Sequence, residues 1–215
     1  LREELEERRA LAEQYVPAEI QAVNRQTVEQ LLASGMAGRA LSVAAQMPGF
    51  ELPDQDGNPV SSQEMLSRGR LVVCFFRGRW CPFCVAQLEA MNSAVPQIQS
   101  GGANLLAISP QTAKQAFFMR DQHHLRFPLL SDSNNQVARR FGLVYSVPQE
   151  QKAVYSRTFI NLPFLNGESS WELPIPATYI VERSGTVLYA SADPDYTRRP
   201  EPGEIIRRLL ESGPA

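Results

Sequence analysis

Leu71-Val72-Val73-Cys74-Phe75-Phe76-Arg77-Gly78-Arg79-Trp80-Cys81-Pro82-Phe83-Cys84 is the stretch that decides the fold. Its first six residues are an uninterrupted apolar, β-prone run, which predicts a buried strand over 70–76. Beyond it Val85, Leu88, Met91, Val95 and Ile98 recur at helical spacing, which predicts a helix to about residue 99. A cysteine pair two residues apart therefore falls where a buried strand hands over to a helix N-terminus. Unpaired N–H groups and the positive end of the helix dipole stabilise a thiolate there, and the thiolate is the form of cysteine that does chemistry. A CxxC so placed, near a βαβ pattern, reads as a redox dithiol.

Other readings of the pair fit less well. A structural zinc site wants four ligands. The chain offers only one further cysteine, Cys74, and two adjacent histidines, His123 and His124, so no metal is expected. A purely structural disulfide would close a tiny loop and constrain little of the unfolded chain. Cys74, inside the apolar run, reads as a buried, inert core residue.

Composition narrows the class. With 215 residues, 43% of them hydrophobic and 20% charged, the chain can build one sizeable core with an extension or two. A formal net charge of −2 gives no basic field for nucleic acid. No apolar run approaches the length of a membrane span, and three cysteines do not make a disulfide scaffold. The cytoplasm is the expected location, although a chain starting at Leu1 leaves any removed signal peptide unread.

The chain divides into a helical extension over 1–35 and a main domain over 36–215. Leu1, Leu5, Ala12 and Tyr15-Val16 mark a charged amphipathic helix. Ile20, Val23, Thr27 and Leu31 give a second helix an apolar stripe, opened at Pro17 and ended by Gly35. A hairpin packed on its own domain and an arm for homodimerisation both fit. Residues 36–60 carry Gly and Pro punctuation with a turn at Asp56-Gly57-Asn58, and Ser61-x-x-Glu64 signals a helix start. Strands are expected at Ala103–Ser109 and Phe127–Leu130, and helices at Lys114–Gln122 and Asn135–Phe141. Residues 145–175, with Pro148, Pro163 and Pro174 and little periodicity, read as an insertion holding a hairpin. Ala177–Val181 and Thr186–Ala190 read as paired strands, and Pro202–Leu210 as a closing helix. Parallel strands, then an antiparallel pair and a last helix, make a mixed-sheet α/β sandwich.

From about Pro48 onward the sequence resembles the thioredoxin superfamily, and within it the peroxiredoxin-like proteins of the alkyl hydroperoxide reductase/thiol-specific antioxidant group. The resemblance rests on Pro48-Gly49-Phe50-Glu51-Leu52 with Asp56-Gly57, on Phe76-Arg77-Gly78-x-Trp80-Cys81-Pro82-Phe83-Cys84, and on Ile108-Ser109-Pro110. It continues through Phe127-Pro128-Leu129-Leu130-Ser131-Asp132, Phe141-Gly142-Leu143 and Ile175-Pro176-Ala177-Thr178-Tyr179-Ile180-Val181. Residues 1–35 lie outside it. It implies a thioredoxin-like fold of peroxiredoxin type and a thiol-dependent oxidoreductase without cofactor. The substrate would be a hydroperoxide, recharging coming from thioredoxin or a small thiol. The alternatives are a reductase of protein disulfides and a non-enzymatic redox sensor.

Typical members carry Thr/Ser-x-x-Cys, an upstream proline and a later arginine. Here Cys84 matches the peroxidatic cysteine, Cys81 replaces the hydroxyl residue, and Arg77 stands at the proline position. The strand that would bring the arginine has none, and Pro176, beside Thr178, resembles the cis-proline that faces the dithiol in thioredoxins. A peroxidase needs donors for the leaving oxygen. Arg77 and Arg79 are candidates by sequence proximity, but arginine is mostly exposed, and solvent-facing strand-end charges are the favoured reading. Trp80 and Phe83 fit a docking surface for a disulfide partner or a core and lid. Asp193-Pro194-Asp195-Tyr196-Thr197-Arg198-Arg199 fits a border of the site, but a turn and helix lead-in is the favoured reading. With Pro82 first in the helix, Cys81 is the N-cap, which makes it the expected low-pKa, exposed nucleophile for disulfide exchange. Alignment with peroxiredoxins instead makes Cys84 the sulfur that peroxide oxidises.

Overall fold

Along Arg70–Phe75 the side chains alternate between two apolar layers, as the two-residue period of a strand requires. Val72 and Cys74 enter one layer, and Leu71, Val73 and Phe75 the other. The computed structural model describes residues 1–213 of the chain. In order, helices α1 (Arg2–Tyr15), α2 (Ala18–Ala33) and α3 (Met36–Arg39) precede strands β1 (Glu51–Pro53) and β2 (Pro59–Ser61) and helix α4 (Ser62–Arg68). Strand β3 (Arg70–Phe75), helix α5 (Pro82–Ser100), strand β4 (Ala103–Ser109), helix α6 (Ala113–Gln122) and strand β5 (Leu129–Ser131) form the βαβ run. Helix α7 (Gln136–Arg140), strand β6 (Val144–Ser146), helices α8 (Gln149–Arg157) and α9 (Leu162–Asn166) and strand β7 (Glu172–Pro174) follow. Strands β8 (Ala177–Val181) and β9 (Val187–Ala192) and helix α10 (Pro202–Glu211) complete the chain.

The main sheet has the order β5-β4-β3-β8-β9. Strand β3 runs parallel to β4 and antiparallel to β8, so the sheet is mixed. One face is covered by α5 through Leu88, Met91, Val95 and Ile98, with Ile205 and Leu209 of α10 beside them. The other face packs against Met36, Phe141 and Leu143. Helix α5 carries Pro96 in its interior, which removes a hydrogen bond to the carbonyl four residues back. That carbonyl, on Asn92, accepts from Arg126 Nη2 at 2.8 Å instead, so the helix stays paired.

Two differences from the sequence reading affect the site. Residues 145–175 hold two helices, α8 and α9, inside the short β6–β7 ladder. These helices are short and Pro-bounded, with too few turns to display a period. Their apolar residues Val154, Tyr155, Leu162 and Leu165 make a third core cluster, which also takes Ile20 and Val23 of α2. Second, Ser61 does begin α4, but it makes no side-chain cap; Ser62 Oγ instead accepts from Phe50 N at 2.9 Å.

The extension is fastened at several points. Leu5 is buried in the α5 layer, and Thr27 Oγ1 donates to Gln151 Oε1 at 3.1 Å in a buried α2–α8 contact. Gln21 Nε2 donates to the carbonyls of Ala12, Glu13 and Val16, which ties α1 to α2 across Pro17. Helix α7 ends in a Schellman motif, with Leu143 N bonded to Ala138 O and Gly142 N to Arg139 O, both at 3.0 Å. Gly142 has φ +72°, and a Cβ there would lie 2.1 Å from the carbonyl oxygen of Arg39. Gly142→Ala should therefore destabilise the fold by more than the ~1–3 kcal/mol of left-handed strain alone. Urea unfolding checks this, and a midpoint equal to that of the parent chain would refute the close approach.

Candidate active site

Cys81 is the N-cap of α5, with φ −94° and ψ 110°, and Pro82 is the first helical residue. The Cys81 carbonyl accepts from Cys84 N at 3.0 Å and Val85 N at 3.1 Å, which places Cys84 in the first turn. Both sulfurs are reduced and both residues are buried, Cys81 to 1% and Cys84 to 0% exposure. The expected exposed nucleophile at residue 81 is thus corrected: Trp80, Phe83 and the extension cover it.

Cys84 collects the donors. Arg77 N lies 3.5 Å from its sulfur, and Arg199 Nη2 also lies at 3.5 Å. Arg77 Nη1 is 3.9 Å from the Cys81 sulfur. Burial opposes ionisation of Cys84, but the Cys81 thiol hydrogen bond, the Arg199 and Arg77 charges and the Arg77 N–H together outweigh it. The Cys84 pKa falls from 9.0 to about 5. Cys81 moves the other way, raised well above its ordinary value by burial and by the neighbouring Cys84 anion. The pair holds one proton and one negative charge. The N-cap expectation for the low-pKa sulfur is therefore reversed. Side-chain and backbone donors converge on residue 84 at 3.5 Å, while the Arg77 guanidinium sits 3.9 Å from the sulfur of residue 81.

Arg77 is 4% exposed, so the solvent-facing reading fails for it. Its guanidinium carbon lies 4.7 Å from the Trp80 ring centre and 4.2 Å from that of Tyr196, and its Nη2 donates to Tyr155 Oη. Two ring faces, a phenol and the sulfurs replace the water a buried cation gives up. Gly78, at φ +141°, allows this packing, since a Cβ there would lie 2.6 Å from Trp80 Nε1. Arg79 serves elsewhere: its N–H bonds Gln111 Oε1 at 3.0 Å and its Nε bonds Gln115 Oε1 at 2.7 Å, away from the sulfurs.

Two further residues are displaced from the expected roles. No peptide bond among the described residues is cis, so Pro176 is trans. Its carbonyl accepts from Asp193 N at 3.2 Å. The trans form is the intrinsically favoured one, and side chains from 193–199 approach the dithiol instead. Thr178 sits opposite Cys74 in the β3–β8 register, donates to its sulfur at 3.8 Å and accepts from Gln87 Nε2 at 3.1 Å. Burial pushes the Cys74 thiol up to about 12, which keeps it protonated.

Sequence reasoning passed over Tyr155, and set Tyr196 and Arg199 aside in favour of a turn and helix lead-in. Arg199 arrives 115 residues after Cys84 on an irregular segment. Asp195 N donates to Asp193 Oδ1 at 2.9 Å, and Thr197 N donates to Asp195 Oδ1 at 3.0 Å. These Asx turns hold the segment that carries Tyr196 and Arg199 against the site. The adjacent Asp193-Pro194-Asp195 was the only signal, and it indicates a turn without saying what the turn faces.

A cavity of about 240 Å³ opens at this site. Arg77, Trp80, Cys81, Phe83 and Tyr155 line one side of it, and residues of the extension line the other.

A family model described as the AhpC/TSA family matches residues 43–190. Peroxiredoxin Bcp of Escherichia coli (strain K12) is 30% identical over 96 residues, which is 45% of this chain and 61% of that protein. The chloroplastic peroxiredoxin Q of Oryza sativa subsp. japonica is 29% identical over 149 residues, 69% of this chain and 58% of that one. Among solved structures, peroxidoxin BcpB from Mycobacterium tuberculosis superposes with a TM-score of 0.62 at 20% identity. It covers 80% of this chain and 97% of its own. These likenesses show the thioredoxin-like fold of peroxiredoxins.

The donors around Cys84 fix the pH behaviour. The site favours the anion, so thiolate is complete above about pH 6 and is lost as pH falls through 5. The stability this contributes is fully present above the unfolded thiol value of about 8.5 and is lost over the same fall. Absorbance of the reduced protein at 240 nm should titrate near pH 5, and Arg199→Met should move that midpoint upward. A midpoint unchanged in Arg199→Met would remove Arg199 from the account.

Proposed function

We propose that this chain, which belongs to the AhpC/TSA family and is a thiol-dependent peroxidase, attacks hydroperoxides with Cys84 and resolves the product with Cys81. The observation that carries the assignment is the convergence of Arg199 Nη2 and Arg77 N on the Cys84 sulfur. In this reading the two arginines do what the missing hydroxyl and strand arginine do in typical members. They hold the peroxide and stabilise the charge that develops on the leaving oxygen.

The Cys84 thiolate attacks one peroxide oxygen, the S–O bond forms and the O–O bond breaks. The leaving alkoxide takes the proton of the Cys81 thiol and departs as an alcohol, or as water from hydrogen peroxide. Cys84 is then a sulfenic acid and Cys81 a thiolate. Cys81 attacks the Cys84 sulfur, hydroxide leaves and is protonated to water, and the disulfide forms. A raised Cys81 pKa suits this order, since the group must stay protonated until the O–O bond breaks. An external dithiol such as a thioredoxin, or two small thiols, returns two electrons and two protons. The hydroperoxide is thus the oxidant and the external thiol the reductant.

Reduction of protein disulfides is the weaker reading, because the donors converge on Cys84 rather than on Cys81, the N-cap sulfur that such exchange would use as its nucleophile. Stopped-flow oxidation of the reduced protein tests the assignment. Cys84→Ser should lose peroxide consumption by about three orders of magnitude or more. Cys81→Ser should still form a dimedone-reactive sulfenic acid in one turnover but no intramolecular disulfide. If Cys84→Ser keeps single-turnover reactivity and Cys81→Ser loses it, the roles are exchanged.

A further inference from the structure

The extension bears on which peroxides the dithiol meets. Ala12 of α1, Val16 of the connection and Ile20 of α2 line the 240 Å³ cavity, facing Trp80, Val154 and Ile160. Cys81 and Arg77 line it as well, and Cys84, whose N–H bonds the Cys81 carbonyl at 3.0 Å, lies just behind Cys81 outside the lining. The space therefore has a polar, reactive end and an otherwise mostly apolar lining. The family model begins at residue 43, so the three extension residues belong to a segment the family match does not include.

This wall is held in place independently of anything it would bind. Besides the α2–α8 contact and the Gln21 clasp, Arg9 Nη2 donates to the carbonyl of Thr197 at 2.9 Å, beside Tyr196. The Leu1 amino group lies 3.6 Å from Glu201. The extension is thus fixed to α8 and to the 193–199 segment, the two parts of the chain that bring Tyr155, Tyr196 and Arg199 to the site.

We infer that the N-terminal hairpin is a specificity element of the peroxidase, with Val16 and Ile20 forming a subsite for the organic group of a hydroperoxide. The inference rests on the peroxidase reading. An aromatic or short alkyl group would bury its surface against Val16, Ile20 and Ile160 while its O–O end points to Arg77 and the dithiol. Hydrogen peroxide has no such group and gains nothing from the wall. The expected preference is that of an apolar pocket for a matching side group, about ten- to a hundredfold.

The test compares stopped-flow oxidation of the full-length reduced protein by cumene hydroperoxide and by hydrogen peroxide, read as the ratio of the two rate constants. The ratio should favour cumene hydroperoxide by about tenfold or more. It should fall about fivefold or more in Val16→Ser/Ile20→Ser, and also in Ile20→Trp, which fills the space instead of opening it. Leu11→Ser, on the exposed side of α1, should keep the parent ratio. A loose or misfolded variant would slow both reactions together and leave the ratio unchanged. An unchanged ratio in the Ser and Trp variants, with hydrogen peroxide still reacting at the parent rate, overturns the inference, as does a parent ratio near one. Failure of either peroxide to oxidise the parent dithiol would instead overturn the peroxidase reading itself.

Discussion

The buried guanidinium of Arg77 is the constraint around which the site is built. Removing such a cation from water costs several kcal/mol unless charge and hydrogen bonds are supplied in return. Three separate parts of the chain supply them. The dithiol gives a shared negative charge, α8 gives the Tyr155 hydroxyl, and the 193–199 segment gives the Tyr196 face. Trp80, folded back over Gly78, closes the fourth side. Arg77 also donates its backbone N–H to the Cys84 sulfur. Arg77 therefore couples the ionisation of the sulfurs to the docking of the insertion and of the segment before α10.

This also explains why the two sulfurs differ although they sit within one helical turn. Helix-terminus electrostatics act on both residues and favour the N-cap. Local donors act more closely on Cys84 than on Cys81. Arg199 and the Arg77 N–H reach residue 84, and the Cys81 thiol adds a third hydrogen bond. In a dry site, three directed donors outweigh a position nearer the end of the dipole.

Much of the frame was legible in the sequence because it rests on local pattern. The apolar run before the dithiol, the helical spacing after it and the paired strands at the end of the chain appear where period and turn residues put them. Local pattern pointed to Cys81 and the resemblance to Cys84 as the attacking sulfur, and spacing could not choose between them, because the donor that favours Cys84, Arg199, is remote in sequence and carried by an irregular turn. Burial of Arg77 was obscured for a related reason: its partners Tyr155 and Tyr196 lie in stretches whose helices or turns are too short to show a period. Pro176 misled through resemblance to a motif whose function is met here by other residues. The α8–α9 pair was hidden by its prolines, which stand at the first helical turn or just before it.

Cys81 and Cys84 stand three residues apart at one helix end, with Cys84 N bonded to the Cys81 carbonyl at 3.0 Å. A bond between these sulfurs needs no unwinding of α5 and no transit of a distant loop, since side chains three apart on a helical turn are natural neighbours. The lifetime of an oxygenated sulfur is then set by a local encounter. A second oxidant molecule, arriving by diffusion through a walled cavity, competes poorly with a partner already in contact. With the roles proposed for Cys84 and Cys81, such a centre would resist irreversible advance to the sulfinic and sulfonic states. It would keep clearing its oxidant at high flux where a centre with a slow, mobile resolving group would be silenced.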